Sequence, residues 1–520
     1  MPVSRRAFTQ ILTTAAAGAS LRRNAEAQNS GIFQHGVASG DPLLNRVVIW
    51  TRLTTTSDEE VIPVEWVIAE DANFSRNAQR GLTYTNGNFD YTVKVDVERL
   101  NPATTYYYRF TFRGSSSPVG RTKTLPLASV ERARFAVVSC SNLPYGYFNT
   151  YRLVANRRDL DFVLHLGDYI YEYANRQYGN GTPLNRVPAP DKEISTLSDY
   201  RTRYAQYRSD QDLQEMHRQH ATIVVWDDHE STNDSWKEGA ENHQPDTEGA
   251  WSPRRAVSAQ AWFEWMPVRA NPYVNGEIYR NFRFGSLIDL IMLDTRLAGR
   301  SQQVVTTSPA IFDQSRSLMG PDQEAWLNYQ LGTSQGRGTQ WRLLGQQTMM
   351  GQLVGADGAP FNSDQWDGYV ASRNRLLQTI ATNNINNVVV LTGDIHSSWG
   401  NEIAGNPFLP TGYNPLAVEF VTPAVSSPGI DDRAQADGLQ AQIGATHPHV
   451  KYVELFRRGY LLMDVDRERA QGEWYHVRTI LERTTDEDFA RALVAASGSN
   501  RLVAQSTASR PGANPAPAAP

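Results

Sequence analysis

Residues 161–173 read DFVLHLGDYIYEY. An apolar strand runs into Gly167-Asp168, which is how an α/β sheet delivers a carboxylate to its C-terminal edge, where such sheets bind ligands. Tyr171 follows three positions after that carboxylate, close enough for the next turn to bring it back to the same point. A single ending of this kind says little. The reading depends on what the rest of the chain supplies.

Six further runs behave alike. RFAVVSCSN, TIVVWDDHE, SLIDLIMLDTR, WRLLGQQT, NNVVVLTGDIH and LAVEFVTPA are apolar, read as strands, and end in small or polar residues. Helical stretches lie between them, such as GPDQEAWLNYQL with Pro321 near its start. Strands apolar throughout are buried on both faces, which predicts a layered α/β or α+β core with helices outside, here taken as α+β.

At 520 residues the chain is long enough for two domains. Residues 28–128 read as a β domain: YTVKVDVERLNPATTYYYRFTF alternates at strand period. Its Leu100-x-Pro102-x-Thr104-x-Tyr106 looks like the strand-entry corner of a fibronectin type III-like sandwich, where the tyrosine packs and bonds back to the loop. GRTKTLPLAS (120–129) reads as a linker, residues 132–496 as the catalytic core, and the Pro- and Ala-rich residues 497–520 as a disordered tail.

The first 27 residues, MPVSRRAFTQILTTAAAGASLRRNAEA, place Arg5 and Arg6 before a short apolar run and an Ala-Glu-Ala site. This predicts a twin-arginine export signal, recognised by the twin-arginine machinery, and a periplasmic or secreted protein without a transmembrane segment. Cleavage removes four arginines and one glutamate, a net +3, so the formal charge of −5 becomes −8. Such a chain is a poor nonspecific nucleic-acid binder, and an anionic substrate has to be drawn by something local, such as bound cations. Cys140 is the single cysteine, so no internal disulfide is expected and the thiol is free for other chemistry.

Four strand ends carry metal-capable residues: Cys140; Asp168 and Tyr171; Asp227, Asp228 and His229; Asp394 and His396. Each alone has a structural explanation, the thiol as a small buried hydrophobe, Asp228 as a helix cap, Asp394 as a turn former. Four strands ending alike are harder to explain by packing. Thiolate, phenolate and carboxylate together favour a trivalent Lewis-acidic iron, whereas carboxylate and amide oxygens suit calcium. A two-metal site clamps a phosphate and activates hydroxide for in-line attack.

Gly-Asp-x-x-Tyr, Asp-Asp-His-Glu and Gly-Asp-x-His-x-x-Trp, preceded by FQHGVASGDPLLNRVVIWTRL, resemble the alkaline phosphatase D (PhoD) family, which includes phospholipase D-like members. The resemblance covers nearly all of residues 31–496. It implies a purple acid phosphatase-like metallophosphoesterase core, layered α/β/β/α, behind the β-sandwich, with Fe(3+) and Ca(2+) as cofactors and phosphate esters as substrates. Cys140, Asp168, Tyr171 and His396 would face the iron, Asp168 would bridge, and Asp228 and Asp394 would face calcium. His229 would contact the phosphate or assist the leaving group, and Asp227 would support its neighbour. Ser231 and Thr232 depart from the family pattern, which bears on Asn233, and the tail has no family counterpart. The expected function is phosphomonoester or phosphodiester hydrolysis; the alternatives are a phospholipase D-like phosphodiesterase and a non-catalytic surface-binding protein.

Overall fold

Every apolar run named above forms a strand, and each is buried along almost its whole length: Arg132–Val138, Phe162–His165, Ala221–Val224, Ile288–Met292, Trp341–Gln346, Val388–Thr392 and Ala417–Val421. The structure, a computed structural model, describes residues 31–269, 277–355 and 357–520. The expected export signal, residues 1–27, lies outside the described residues.

The strands divide between two mixed sheets. In the ten-stranded sheet, the neighbours run Leu502–Gln505, Glu487–Ala496, Arg469–Val477, Gly459–Asp466, Arg132–Val138, Phe162–His165, Ala221–Val224, Val37–Gly40, Val47–Arg52 and Thr92–Val97. Its centre is parallel: Phe162 pairs with Phe135, and Val163 with Thr222. The seven-stranded sheet runs Arg280–Phe284, Ile288–Met292, Trp341–Gln346, Val388–Thr392, Ala417–Val421, Ser398–Ile403 and Val450–Glu454, again parallel at its centre.

Period-two alternation stacks the layers. Val389 and Leu391 join the core shared with the ten-stranded sheet, while Val388 and Val390 pack into a second core with Leu327 and Leu331 of helix Pro321–Gly336 and Leu376, Leu377 and Ile380 of helix Val370–Thr382. Helices Asn149–Asn156, Leu197–Tyr207, Gln211–Gln219 and Trp251–Trp265 contribute to the first core from the other side. The order is helix, sheet, sheet, helix. At one end a parallel bridge, Ser139 to Ala424, ties the sheets together, and Thr422 donates from Oγ1 to the Val137 carbonyl at 2.8 Å.

In the N-terminal region a five-stranded sheet packs on the end of the ten-stranded one, so the boundary read near residue 128 is not a break in the chain's hydrogen bonding. Strands Ile62–Ala69, Gln79–Thr85, Thr105–Phe112, Ser115–Ser116 and Gly120–Lys123 make a separate sheet. Its partner layer is the end of the ten-stranded sheet, where Ser39 pairs with Ala221. Tyr106 is buried and accepts from the Asn101 backbone N–H at 2.8 Å, the corner contact its spacing predicts. The segment read as a linker begins with a strand, Gly120–Lys123, which pairs antiparallel with Thr105–Phe112 and is buried at its first three residues.

The tail reading is corrected. Leu502–Gln505 pairs with Glu487–Ala496, and the residues beyond it run along the base of the sheets. Pro517 accepts from Tyr107 Oη at 2.6 Å, Ala519 exchanges hydrogen bonds with the Gln219 amide, and Arg218 donates to the Pro520 carbonyl at 2.7 Å. Proline makes this segment cheap to order, since its φ is already restricted in the unfolded chain, and the carbonyls find side-chain donors.

Candidate metal centre

The C-terminal ends of Arg132–Val138, Phe162–His165 and Ala221–Val224 lie side by side in one sheet, and that of Val388–Thr392 faces them from the other. Just past these ends the backbone turns left-handed at Cys140, Asp168, Asp394 and His396, with φ of 61°, 54°, 64° and 56°. Four non-glycine residues in this disfavoured region at one place mark a functional constraint. Gly167, at φ 103°, permits the close approach: a Cβ there would meet the Asp227 backbone nitrogen at 2.4 Å.

The side chains converge. Cys140, Asp168 and His396 have ligand atoms within 4.8 Å of one another; so do Asp168, Asp228 and His229, and so do Asp227, Asp228 and Asp394. Asp168 and Asp228 are each shared by two of these groups. Tyr171 completes the first, donating to Asp168 Oδ2 at 2.8 Å with its oxygen 3.1 Å from His396 Nε2. Ser427 Oγ supports the phenol oxygen at 2.7 Å. Asp168 and Tyr171 thus meet at one point, where the Asp168 Oδ1 atom is buried without a hydrogen-bond partner.

The surroundings orient these donors. His396 Nδ1 donates to the Pro428 carbonyl at 2.6 Å, which leaves Nε2 with its lone pair toward Asp168 and Tyr171. Burial, and then the charge of Asp168, push the Cys140 thiol and the Tyr171 phenol well above their ordinary pKa values. A cation taken up here therefore displaces protons from both. The Asp394 carboxyl is raised to about 6, by burial first, with Arg296 opposing and Asp364, Asp228 and Asp168 adding to it. An orphaned carboxylate oxygen beside a thiol, a phenol and an imidazole fits a bound metal ion.

Residues 135–474 match the PhoD-like phosphatase family, and residues 16–126 match the N-terminal domain of PhoD-like phosphatases. The chain belongs to the PhoD-like phosphatase family. It is 38% identical over 448 residues to alkaline phosphatase D of Bacillus subtilis (strain 168), a match covering 82% of this chain and 75% of the relative. The solved structure of PhoD superposes with a TM-score of 0.85 at 34% identity, covering 92% of this chain and 93% of that one. As a member of the family the chain is a phosphoric ester hydrolase, and its clustered donors are candidate metal-binding groups.

Several residues of this PhoD-like site carried no assignment in the sequence. Arg296, fully buried, donates from Nε to Asp227, from Nη1 to Asp364 at 2.8 Å and from Nη2 to Asp394 Oδ1 at 2.7 Å. Asp227 thus turns to an arginine. Arg300 and Gln303 also hold Asp364, and Gln365 donates to Asp394 Oδ2. Glu172 accepts at 2.7 Å from His229 Nδ1 and at 2.8 Å from the Asn233 backbone. Glu230 ties two loops by accepting from the backbone N–H groups of Asp168, Tyr169 and Asp227. Glu172 directly follows Gly-Asp-x-x-Tyr, Glu230 ends Asp-Asp-His-Glu and Arg296 ends LDTR, but buried supporting residues have no spacing of their own to reveal them.

His229 packs against Tyr171 with ring centroids 4.2 Å apart and the rings tilted by 33°. Its burial opposes protonation, yet Glu172, Asp228 and Asp168 outweigh that and hold its pKa well above the ordinary imidazole value. A cavity of about 200 Å³, walled by Asp168, Asp228, His229, Asp394 and His396 among others, opens the cluster to solvent. Among the described residues no helix is long and apolar enough to cross a membrane.

Proposed function

We propose that this hydrolase acts outside the cytoplasm, after twin-arginine export, with a ferric ion and calcium at the strand-end cluster. Cys140, Asp168, Tyr171 and His396 would hold the iron, Asp168 would bridge, and Asp228 and Asp394 would hold calcium. The observation that carries this reading is the meeting of thiol, phenol, imidazole and an unpartnered carboxylate oxygen at one buried point. When bound, the cations neutralise phosphate oxygens and lower the pKa of a nearby water. We also read the core as purple acid phosphatase-like and the N-terminal sandwich as fibronectin type III-like.

The remaining chemistry belongs to the chain. His229, kept protonated by Glu172, stands at the mouth as general acid for the departing alkoxide. Asp228 is held to about 2: burial would raise it, but the positive charges of Arg296 and His229 and the Asp234 N–H keep it anionic. Arg296 fixes Asp227 and Asp394 in orientation and offsets their mutual repulsion.

Metal analysis with selective removal tests the reading. The purified enzyme should contain iron, show a phenolate charge-transfer colour, and lose activity to a calcium-selective chelator while the colour persists. Calcium should restore the rate. Cys140→Ser should lose iron and most activity while remaining folded, because a hydroxyl cannot replace the thiolate. A fully active preparation holding zinc without iron would refute the metal assignment.

A further inference from the structure

Beside the cluster lies a cavity of a different character. About 410 Å³ in volume, it is faced by Leu353, Ile395, Ile430, Leu439, Ile443 and Leu455. All but Leu455 are only half-buried, so they present apolar surface to open space. Its roof is helix Arg433–Thr446, in which Ala436 is the one buried residue while Leu439 and Ile443 turn inward. Trp399 is buried at its floor, and Phe361, 74% exposed, stands at its wall.

Most of the polar groups in the wall are already engaged; the Gln442 amide, on the exposed helix, is the exception. Trp399 Nε1 donates to Ser397 Oγ at 2.8 Å, and His447 Nε2 accepts from the Val354 backbone at 3.2 Å while its Nδ1 lies 2.8 Å from Thr446 Oγ1. This lining has little to offer a charged or hydroxylated group and favours an apolar one.

The cavity adjoins the metal cluster in two places. Ile395 and His396 wall both spaces, the His396 ring standing between them with Nε2 toward Tyr171 and Nδ1 toward Pro428 of the cavity wall. The segment 361–365 crosses in the same way, Phe361 facing the cavity and Asn362, Asp364 and Gln365 facing the cluster. A phosphate seated among Asp168, Asp228 and Asp394 has this cavity as its apolar neighbour.

We propose that the cavity is a subsite for the organic arm of the ester, so that the enzyme favours phosphate esters carrying an aryl or medium-chain alkyl group. The inference rests on the reading that phosphate binds at the strand-end cluster. Burial of a methylene in apolar surroundings tightens binding about fourfold, and about twofold where the site is half open.

Alkylphosphonates test this, because each carries one anionic head and one arm. Inhibition of para-nitrophenyl phosphate hydrolysis by the metal-replete enzyme should strengthen from methyl through butyl to hexyl, hexyl binding about 30-fold more tightly than methyl at twofold per methylene. Leu439→Lys and Ile443→Lys, on the exposed helix, should flatten this gradient and leave methylphosphonate inhibition unchanged. If methylphosphonate inhibits and longer chains do no better, the subsite is refuted while phosphate binding stands. If neither inorganic phosphate nor any phosphonate inhibits, it is the placing of phosphate at the cluster that fails. A soluble ester and a phospholipid both offer such an arm. At equal ester concentration, stronger competition by long-chain phosphatidylcholine vesicles than by soluble hexyl esters would assign it to lipid; the reverse would assign it to a soluble ester.

Discussion

The two edges of the central parallel strands are both crowded with charge, yet they are built on opposite terms. At the N-terminal edge each acid meets a base: Arg132 donates to Asp464 Oδ1 at 2.9 Å, Arg134 pairs with Asp464 and Asp159, and Lys123 with Asp161. Burial would raise the Asp464 carboxyl, but hydrogen bonds from Arg132 and Ser509 and the charges of Arg132 and Arg134 hold it below its ordinary value. At the C-terminal edge Asp168, Asp227, Asp228, Asp234, Asp364 and Asp394 gather around Arg296 and Arg300. There burial and neighbouring carboxylates drive Asp227 well up and Asp234 to about 8. The same chemistry settles one edge by pairing and leaves the other with an anionic surplus. A surplus of buried carboxylates is stable only with protons or added cations.

The largest expected effect comes from removing the shared acid. Asp168→Ala should cost several kcal/mol of transition-state stabilisation, on the order of 10³-fold in kcat/KM, together with bound metal. Steady-state kinetics and metal content of the folded variant check this. Arg296→Met attacks the cation already in the cluster: the uncompensated carboxylates should lower stability by about 3–5 kcal/mol, read by denaturant unfolding, and added calcium should recover part of it. Loss of the same size from Arg132→Met would erase the contrast, because Arg134 remains there to hold Asp464.

Glu172→Gln leaves the shape of the site and removes one charge. Without that carboxylate the His229 pKa falls, and since the acid is present only below its pKa, the alkaline limb of the kcat profile should move to lower pH. The loss in rate should be about 10–100-fold, as for other positioning partners. A pH profile that stays in place would return Glu172 to a purely structural role. The smallest effect belongs to the other edge. Deleting residues 506–520 removes the contacts of Pro517, Ala519 and Pro520 and should reduce stability by about 1–3 kcal/mol with kcat unchanged. A drop in kcat instead would mean that the tail reaches the metal cluster.

What local chemistry controls was legible in the sequence. Apolar runs became buried strands, Leu100-x-Pro102-x-Thr104-x-Tyr106 became a corner, and the residues closing four of those strands came together within hydrogen-bond or ligand distance. These follow from periodicity and from what a strand end can present, both of which act within a few residues. Tertiary structure alone decided which sheet each strand joins, and so that Asp394 and His396 face Cys140 and Asp168 across the seam between sheets. It also decided that Arg296 fills the centre of the acids, that Glu172 grips His229, and that a proline-rich tail finds donors at the base of the molecule. In each case the energy lies in a contact between residues distant in sequence, where burial turns an ordinary charge into one that must be met, and no spacing along the chain records which partner meets it.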